Sequence, residues 1–218
     1  MAIAFICLLI APLIWFLPKP SFADTGQSER QSSQDSSVFM IGLFFLVLTI
    51  VYLAMGGVWS FSERVANNLR IEQDTIGLLL GLSTLTGVIG AVSAGLLAKA
   101  ERLTTPVILG FVVSGIAAFV IAQSDDLASY SMGILLYGYC YMFTVTFVLG
   151  IAAALDSAGR VAIATNAYIM IPYSLGPAVF GIVGLGNISM LGWISLAGCV
   201  LAGLIVLPVS RKAERHSP

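Results

Sequence analysis

The stretch VFMIGLFFLVLTIVYLAMGGVWSFSERVANN, residues 38–68, decides the fold class. Its first 24 residues, Val38 to Phe61, carry no charge. About 20 apolar residues in a helix are enough to cross ~30 Å of hydrocarbon. The run then ends in Trp59 and the charged turn Ser62-Glu63-Arg64, and an aromatic ring followed by charges is typical of a membrane interface. The stretch therefore predicts a membrane-spanning helix.

The composition extends this prediction to the whole chain. Of the 218 residues, 58% are hydrophobic and only 10% are charged, and the mean hydropathy is +0.99. Soluble globular domains have about 25% charged residues. The formal net charge of −1 gives no indication of a nucleic-acid partner. We therefore expect the lipid bilayer to be the main partner of this protein.

Seven uncharged apolar runs predict an all-α integral membrane protein with seven transmembrane helices. The runs are Ala2–Leu17, Val38–Phe61, Ile76–Ala98, Pro106–Gln123, Tyr130–Ala154, Val161–Gly184 and Ile188–Pro208, and every charged residue lies outside them. This pattern predicts an isolated helix at 1–17, a polar cytoplasmic linker at 18–37, a six-helix bundle at 38–208 and a basic cytoplasmic tail at 209–218.

The distribution of basic residues predicts the orientation. With the linker on the cytoplasmic side, eight basic residues lie inside and two lie outside, in agreement with the positive-inside rule. The inside residues are Lys19, Arg30, Lys99, Arg102, Arg160, Arg211, Lys212 and Arg215; the outside ones are Arg64 and Arg70. We therefore expect a cytoplasmic (inner) membrane location, with residue 1 outside and the C-terminus in the cytoplasm.

The first apolar run has two interpretations. Ser21-Phe22-Ala23 matches a signal-peptide cleavage pattern. No Lys or Arg precedes the run, however, and cleavage would invert every later span. We therefore favour the view that Ala2–Leu17 is the last helix of a preceding part of a longer protein.

Three short motifs lie at the ends or inside the runs. Gly95 to Arg102, GLLAKAER, connects the third and fourth runs; Asp156 to Arg160, DSAGR, precedes the sixth; and Gly176-Pro177 lies within the sixth. With the topology, these motifs make the chain resemble the C-terminal half of a major facilitator superfamily transporter. The first motif departs from the family pattern, because its acid-before-base order and its second glycine are missing.

The resemblance implies a function and a set of lining helices. Runs two, three, five and six would line a central solute path, and runs four and seven would support them. The expected activity is transport of an unidentified small molecule as part of a secondary transporter. A missing N-terminal half, or a second copy of the chain, would complete the path.

Polar and aromatic residues recur on one face of three of these runs. The faces carry Tyr52, Gly56, Trp59 and Glu63 in run two; Tyr137, Tyr141 and Thr144 in run five; and Asn166, Met170, Tyr173 and Pro177 in run six. Hydroxyl and amide groups at membrane depth require a hydrogen-bond partner or a watery cavity. The alternatives are a solute path, interfacial aromatic belts, or hydrogen bonds to neighbouring backbones. Pro177 also suits a kinked, gating helix.

Small residues predict close helix packing. Ser83, Gly87, Ala91 and Gly95 recur at intervals of four in run three, and Gly110, Ser114, Ala118 and Ala122 do so in run four. We regard Gly87, Gly95, Gly176 and Pro177 as packing or gating candidates. Asp156 and Arg160, four residues apart, are expected to form a local charge pair.

The residues that are missing argue against several classes of protein. No run contains Asp, Glu, Lys, Arg or His, so an intramembrane enzyme, a retinal-type sensor and a proton-coupled carrier acting alone are disfavoured. The three cysteines, Cys7, Cys140 and Cys199, are not at metal-ligand spacing, and we expect no metal and no cofactor. No phosphate-binding G-x-x-x-x-G-K-[ST] loop is present. A seven-helix receptor and an inert truncated product remain as alternatives to a transporter.

Overall fold

Long helices make up most of the chain. The computed structural model describes residues 34–98, 103–155, 159–183 and 187–214, and within these ranges it contains helices but no strand. The helices are α1 (Gln34–Asn68), α2 (Gln73–Leu97), α3 (Thr104–Ala122), α4 (Leu127–Leu155), α5 (Arg160–Tyr168), α6 (Met170–Val183) and α7 (Ile188–Glu214). The expected all-α class is confirmed for these residues. The run Ala2–Leu17 and linker residues 18–33 lie outside them.

Five of these helices are long and apolar enough to cross a membrane, namely α1, α2, α3, α4 and α7. This finding indicates an integral, multi-pass membrane protein. The expected number of seven spanning helices is not confirmed. The first run is outside the described residues, and the sixth forms two shorter helices instead of one.

The helices extend beyond their apolar runs. α1 continues for seven residues past Phe61, so Glu63 and Arg64 are exposed on its last turns while Val65 is buried. α7 likewise continues past Pro208 to Glu214, so residues 209–214 of the expected tail are helical. Hydropathy marks where the bilayer ends, whereas a helix ends only where its backbone is interrupted.

The sixth run is interrupted by a turn at Ile169. The backbone bonds Ile169 N–H to Thr165 C=O (3.0 Å) and Tyr173 N–H to Ile169 C=O (3.3 Å) carry the chain through this turn. Pro172 has no N–H to donate to the carbonyl of Tyr168, four residues earlier, and its ring crowds that carbonyl. Pro172 is therefore the physical reason for the division into α5 and α6.

The contacts of the first three helices resemble those of the last four. α2 packs against α4, and α3 packs against both α7 and α4. α1 packs against α6, where Phe180 covers Gly57, and against α7, where Gly198 faces Ile50. Exchanging α1 with α4, α2 with α5–α6, and α3 with α7 converts the α3–α7 contact into itself and each of the other contacts into another of them. We call α1–α3 and α4–α7 the two units, with α5 and α6 counted together as one segment of the second unit.

Serine hydroxyls inside the helices bind their own backbone. Ser114 Oγ donates to the Gly110 carbonyl at 2.6 Å, and Ser195 Oγ donates to the Leu191 carbonyl at 2.8 Å. The hydroxyls of Ser62, Ser83, Ser124 and Ser210 make the same kind of bond. A serine needs no polar neighbour on another helix once it has bonded within its own turn. These serines are therefore compatible with an apolar bundle interior.

Candidate functional site

The polar face of α1 is turned toward α4 and α6. The helical period places Tyr52, Gly56 and Trp59 on one side of α1. Tyr52 is completely buried, and Trp59 is half-buried. The backbone of Gly56 lies directly against the carbonyl group of Tyr173 on α6. This face is therefore an internal helix contact and not part of an interfacial belt.

Tyr137 connects α4 to α1. Its hydroxyl donates to the main-chain carbonyl of Met55 at 2.8 Å. Its ring is stacked on Trp59, with the ring centroids 5.4 Å apart and the planes inclined by 18°. Both polar and apolar parts of the tyrosine are thus matched by α1, as a buried tyrosine requires.

Tyr141 and Tyr173 complete the contact between α4 and α6. The ring of Tyr141 is 6.2 Å from that of Tyr52 at an angle of 87°, and 5.7 Å from that of Tyr173 at 60°. We call the resulting group the tyrosine cluster: Tyr52, Trp59, Tyr137, Tyr141 and Tyr173.

A glycine crossing holds α1 and α6 close enough for the cluster to form. A Cβ atom at Gly56 would overlap the Tyr173 carbonyl, and one at Gly176 would lie 2.5 Å from the carbonyl oxygen of Leu53 and from the amide nitrogen of Gly57. Pro177 cannot donate to the Tyr173 carbonyl, so this oxygen lacks its usual helix partner and faces α1 instead. Gly56, Gly57 and Gly176 are thus required for the close approach of α1 and α6.

One hydroxyl of the cluster is buried without a partner. The phenol oxygen of Tyr52 makes no hydrogen bond to any described group, although the residue is fully buried. An unsatisfied buried hydroxyl costs roughly 1–3 kcal/mol. Tyr52, Tyr141 and Tyr173 also lie near the middle of their apolar runs. The cluster therefore brings polar groups to the middle of the apolar helices.

The structure separates three other candidates from the cluster. Thr144 is buried against Gly110 of α3, where its hydroxyl lacks a hydrogen-bond partner among the described groups. Asn166 is exposed on α5, and Glu63 is exposed near the end of α1. Of the expected loop pair, Arg160 is the exposed first residue of α5, and Asp156 lies outside the described residues.

The small residues of α2 contact α4 on a face that follows the helical period. Gly87 meets the Gly138 carbonyl, with 3.1 Å between that oxygen and the position of a Cβ atom at Gly87. Gly90 lies against the carbonyl of Tyr139, whereas Gly95 is exposed and has no neighbour within 4 Å. Steps of four residues rotate about 40° each around a helix of 3.6 residues per turn. Residues at intervals of four therefore turn away from α4 after a few steps, and Gly95 no longer contacts it.

Sequence reasoning missed a pair of hydroxyl groups that joins α1 to α5. The hydroxyls of Thr49 and Tyr168 are 2.7 Å apart, and Thr49 Oγ1 donates to the Phe45 carbonyl, so Tyr168 is the donor to Thr49. Phe45 also packs edge-on against the Tyr168 ring at 4.7 Å. The sequence contained one signal for this pair. Thr49 precedes Tyr52 by three residues and therefore lies on the same face of α1.

The cluster is a group of aromatic rings and phenol hydroxyls. It offers ring faces and phenol hydroxyls but no carboxylate, imidazole or amine. Nowhere in the described part of the chain do three or more His, Cys, Asp or Glu side chains come together as metal ligands. A small apolar cavity between α1, α3 and α7, lined by Val58, Phe61, Ile121 and Leu191 among others, offers no polar group.

Comparisons with known proteins identify no relative of this chain. No protein-family model matches the sequence, and no curated protein matches it either. The functional argument therefore rests on the geometry of the site.

Proposed function

We propose that this chain is part of a secondary transporter for a small organic solute and that the tyrosine cluster is its solute site. The observation that carries the proposal is the meeting of aromatic and hydroxyl side chains from α1, α4 and α6 near the middle of their apolar runs. Hydrogen-bonding groups at that depth are typical of substrate paths.

The arrangement of the helices supports the same function. Transporter sites commonly lie where inverted repeats meet, beside interrupted helices. In the proposal, α5–α6 is one interrupted crossing, so that each unit has three spans of opposite orientation and α1 and α4 occupy equivalent places. The proposal keeps the similarity to the major facilitator superfamily as its structural analogy, with a second half or second copy closing the path.

The proposed activity of the chain alone is uncoupled. The apolar runs contain no ionisable residue that takes up a proton or offsets a cation, so a gradient has no group on which to act. We therefore expect the chain, with a second copy closing the path, to bind its solute and exchange it across the membrane, but not to concentrate it.

The test uses the full chain reconstituted in liposomes. Amines, sugars and amino acids are first screened for an increase in the thermal melting temperature, and solutes that stabilise the chain are then assayed for counterflow. We expect stabilisation and counterflow that are lost in Tyr141→Leu and kept in Tyr139→Phe. The hydroxyl of Tyr139 bonds Ser93 outside the cluster at 2.8 Å. The absence of any stabilising solute, or equal activity of Tyr141→Leu and the wild type, would refute the proposed site. Accumulation driven by a pH gradient would refute the uncoupled mechanism.

The proposed orientation has a separate test. We propose that the linker and the C-terminus are cytoplasmic, as the excess of basic residues on that side indicates. In a variant without Cys7, Cys140 and Cys199, cysteines placed at Ser33 and Ser217 should react with an impermeant thiol reagent only after the cells are opened. Labelling of both positions in intact cells would require the opposite orientation.

A further inference from the structure

The tyrosine cluster contains several electron-rich groups but no charged one. Tyr141 is in ring contact with both Tyr52 and Tyr173, and Tyr137, one helical turn before Tyr141, is stacked on Trp59, so the cluster contains four phenols. Five aromatic rings meet here, and the face of an aromatic ring is the negative side of its quadrupole. The apolar runs supply no Lys, Arg or His, so an anion placed here has no positive partner and loses its hydration without compensation.

The hydroxyl protons are partly committed, and this leaves oxygen lone pairs toward the cluster. Tyr137 donates its only phenol proton to the Met55 carbonyl, so toward a ligand its oxygen can only accept a hydrogen bond. Tyr52 is buried with no hydrogen bond to any described group. Acceptor capacity therefore exceeds donor capacity, and this balance favours a ligand that is positively charged.

The ring geometry is suited to the same kind of ligand. Tyr141 meets Tyr52 at 87° and Tyr173 at 60°, so the three rings face different directions instead of forming a stack. Rings arranged in this way form the walls of aromatic cages, which bind quaternary ammonium groups by cation–π attraction. Tyr141, Tyr173 and Trp59 are only half-buried, so part of each of these residues lies at the surface of the bundle.

We propose that the tyrosine cluster selects a singly charged organic cation, with the ammonium centre held by ring faces and phenol oxygens instead of a carboxylate. This inference rests on the proposed transport function for its biological purpose, but the binding itself does not depend on transport. It goes further than that function, because it names the charge and the class of the solute.

The experiment compares three probes of matched shape on the purified full chain in nanodiscs. Choline is the cation, 3,3-dimethyl-1-butanol is its uncharged isostere and 3,3-dimethylbutanoate is an anion of similar size. Trp15→Phe and Trp193→Phe leave Trp59 as the only indole, and its stacking on Tyr137 makes its emission a local reporter. We expect saturable choline binding that is about tenfold tighter than that of the neutral isostere, and no response to the anion.

Variants locate the binding. Tyr141→Leu keeps an apolar side chain but removes a wall of the cage, and it should abolish the choline response. Tyr52→Phe removes only the unpartnered hydroxyl and should weaken binding several-fold. Tyr139→Phe, on the side of α4 that faces α2, should bind as the wild type does. Melting curves of each variant, recorded without ligand, verify that it is folded.

The possible results separate the two proposals. No saturable binding of choline, equal affinity for choline and its neutral isostere, or unchanged binding in both Tyr141→Leu and Tyr52→Phe would overturn the cation site. Counterflow of an uncharged solute through the cluster would support the transport function and overturn the choice of solute class. Choline binding without counterflow of any solute would support the cation site and refute the transport function.

Discussion

The main-chain carbonyl of Tyr173 lies against the α-carbon of Gly56, so close that no side chain fits between them. The contact joins α1 to α6 at the Tyr173 carbonyl. This carbonyl has no helical donor, because the residue four positions later is Pro177. The contact also fixes the distance at which Tyr52, Tyr141 and Tyr173 meet. The first prediction tests this crossing.

Gly56→Ala should destabilise the protein, because its Cβ atom would overlap the Tyr173 carbonyl and push α6 away from α1. Overpacking of this kind costs about 1–3 kcal/mol. Unfolding in mixed micelles should show the loss of stability. The control is Gly42→Ala in the same helix, where no atom lies within 4 Å; equal stabilities of the two variants would argue against a tight crossing.

Pro172→Ala should join α5 and α6 into one helix. The new N–H at position 172 can donate to the Tyr168 carbonyl, which restores a missing helical bond. Hydrogen–deuterium exchange should become slower in the peptide that covers residues 166–173. Pro208→Ala, in α7, is the control and should leave that peptide unchanged. Unchanged exchange in Pro172→Ala would mean that the turn at Ile169 has another cause.

The bond between Thr49 and Tyr168 should couple α1 to α5. A double-mutant cycle with Thr49→Val and Tyr168→Phe should give a coupling free energy of about 0.6–1 kcal/mol, since hydrogen bonds between membrane helices have this size. A second hydroxyl pair between helices, Ser93 of α2 and Tyr139 of α4 at 2.8 Å, offers a matched second cycle. A coupling near zero for Thr49 and Tyr168 would contradict the contact at 2.7 Å.

Asp126 should make the start of α4 sensitive to acid. Its carboxylate accepts the hydroxyl of Ser129 at 2.6 Å and the amide of Ser129 at 2.8 Å. These bonds lower the pKa of Asp126 below its ordinary value of 3.8, with the side-chain bond as the largest cause. A lowered folded-state pKa means that the stabilisation is complete above the ordinary value and is lost as the pH falls through the folded value.

The measurement is the melting temperature of the wild type and of Asp126→Asn between pH 3 and pH 7. The wild type should be the more stable at neutral pH, and the difference should shrink below about pH 4. Asp125→Asn leaves both bonds to Ser129 in place and serves as the control. A difference between wild type and Asp126→Asn that does not change with pH would exclude the charged cap.

Sequence periodicity was sufficient to predict the all-α class and the helix faces on which part of the cluster lies. Long apolar runs leave the backbone no alternative to helix in a bilayer, and the spacing of Tyr52 and Trp59 places them on one face. Their partners depend on how distant helices cross, which no local pattern contains. Thr144 illustrates this limit, because it shares a sequence face with Tyr137 but packs against α3.

The break in the sixth run was present in the sequence but was not predicted. Pro172 lies within the apolar run, and mean hydropathy takes no account of a missing N–H. Helix ends were misplaced for the same reason, since α1 continues through Glu63 and Arg64 into water. Hydropathy describes the solvent around a segment, whereas hydrogen bonding describes its backbone.

The contrast between serine and tyrosine hydroxyls has a consequence for how the bundle assembles. Ser114 and Ser195 bond within their own helices and give no information about neighbours. A phenol oxygen extends too far from its backbone for such a bond, so Tyr137, Tyr139 and Tyr168 each bond to another helix. These tyrosines thus act as recognition elements, each selecting one neighbouring helix at one height while the apolar surfaces around it tolerate many alignments.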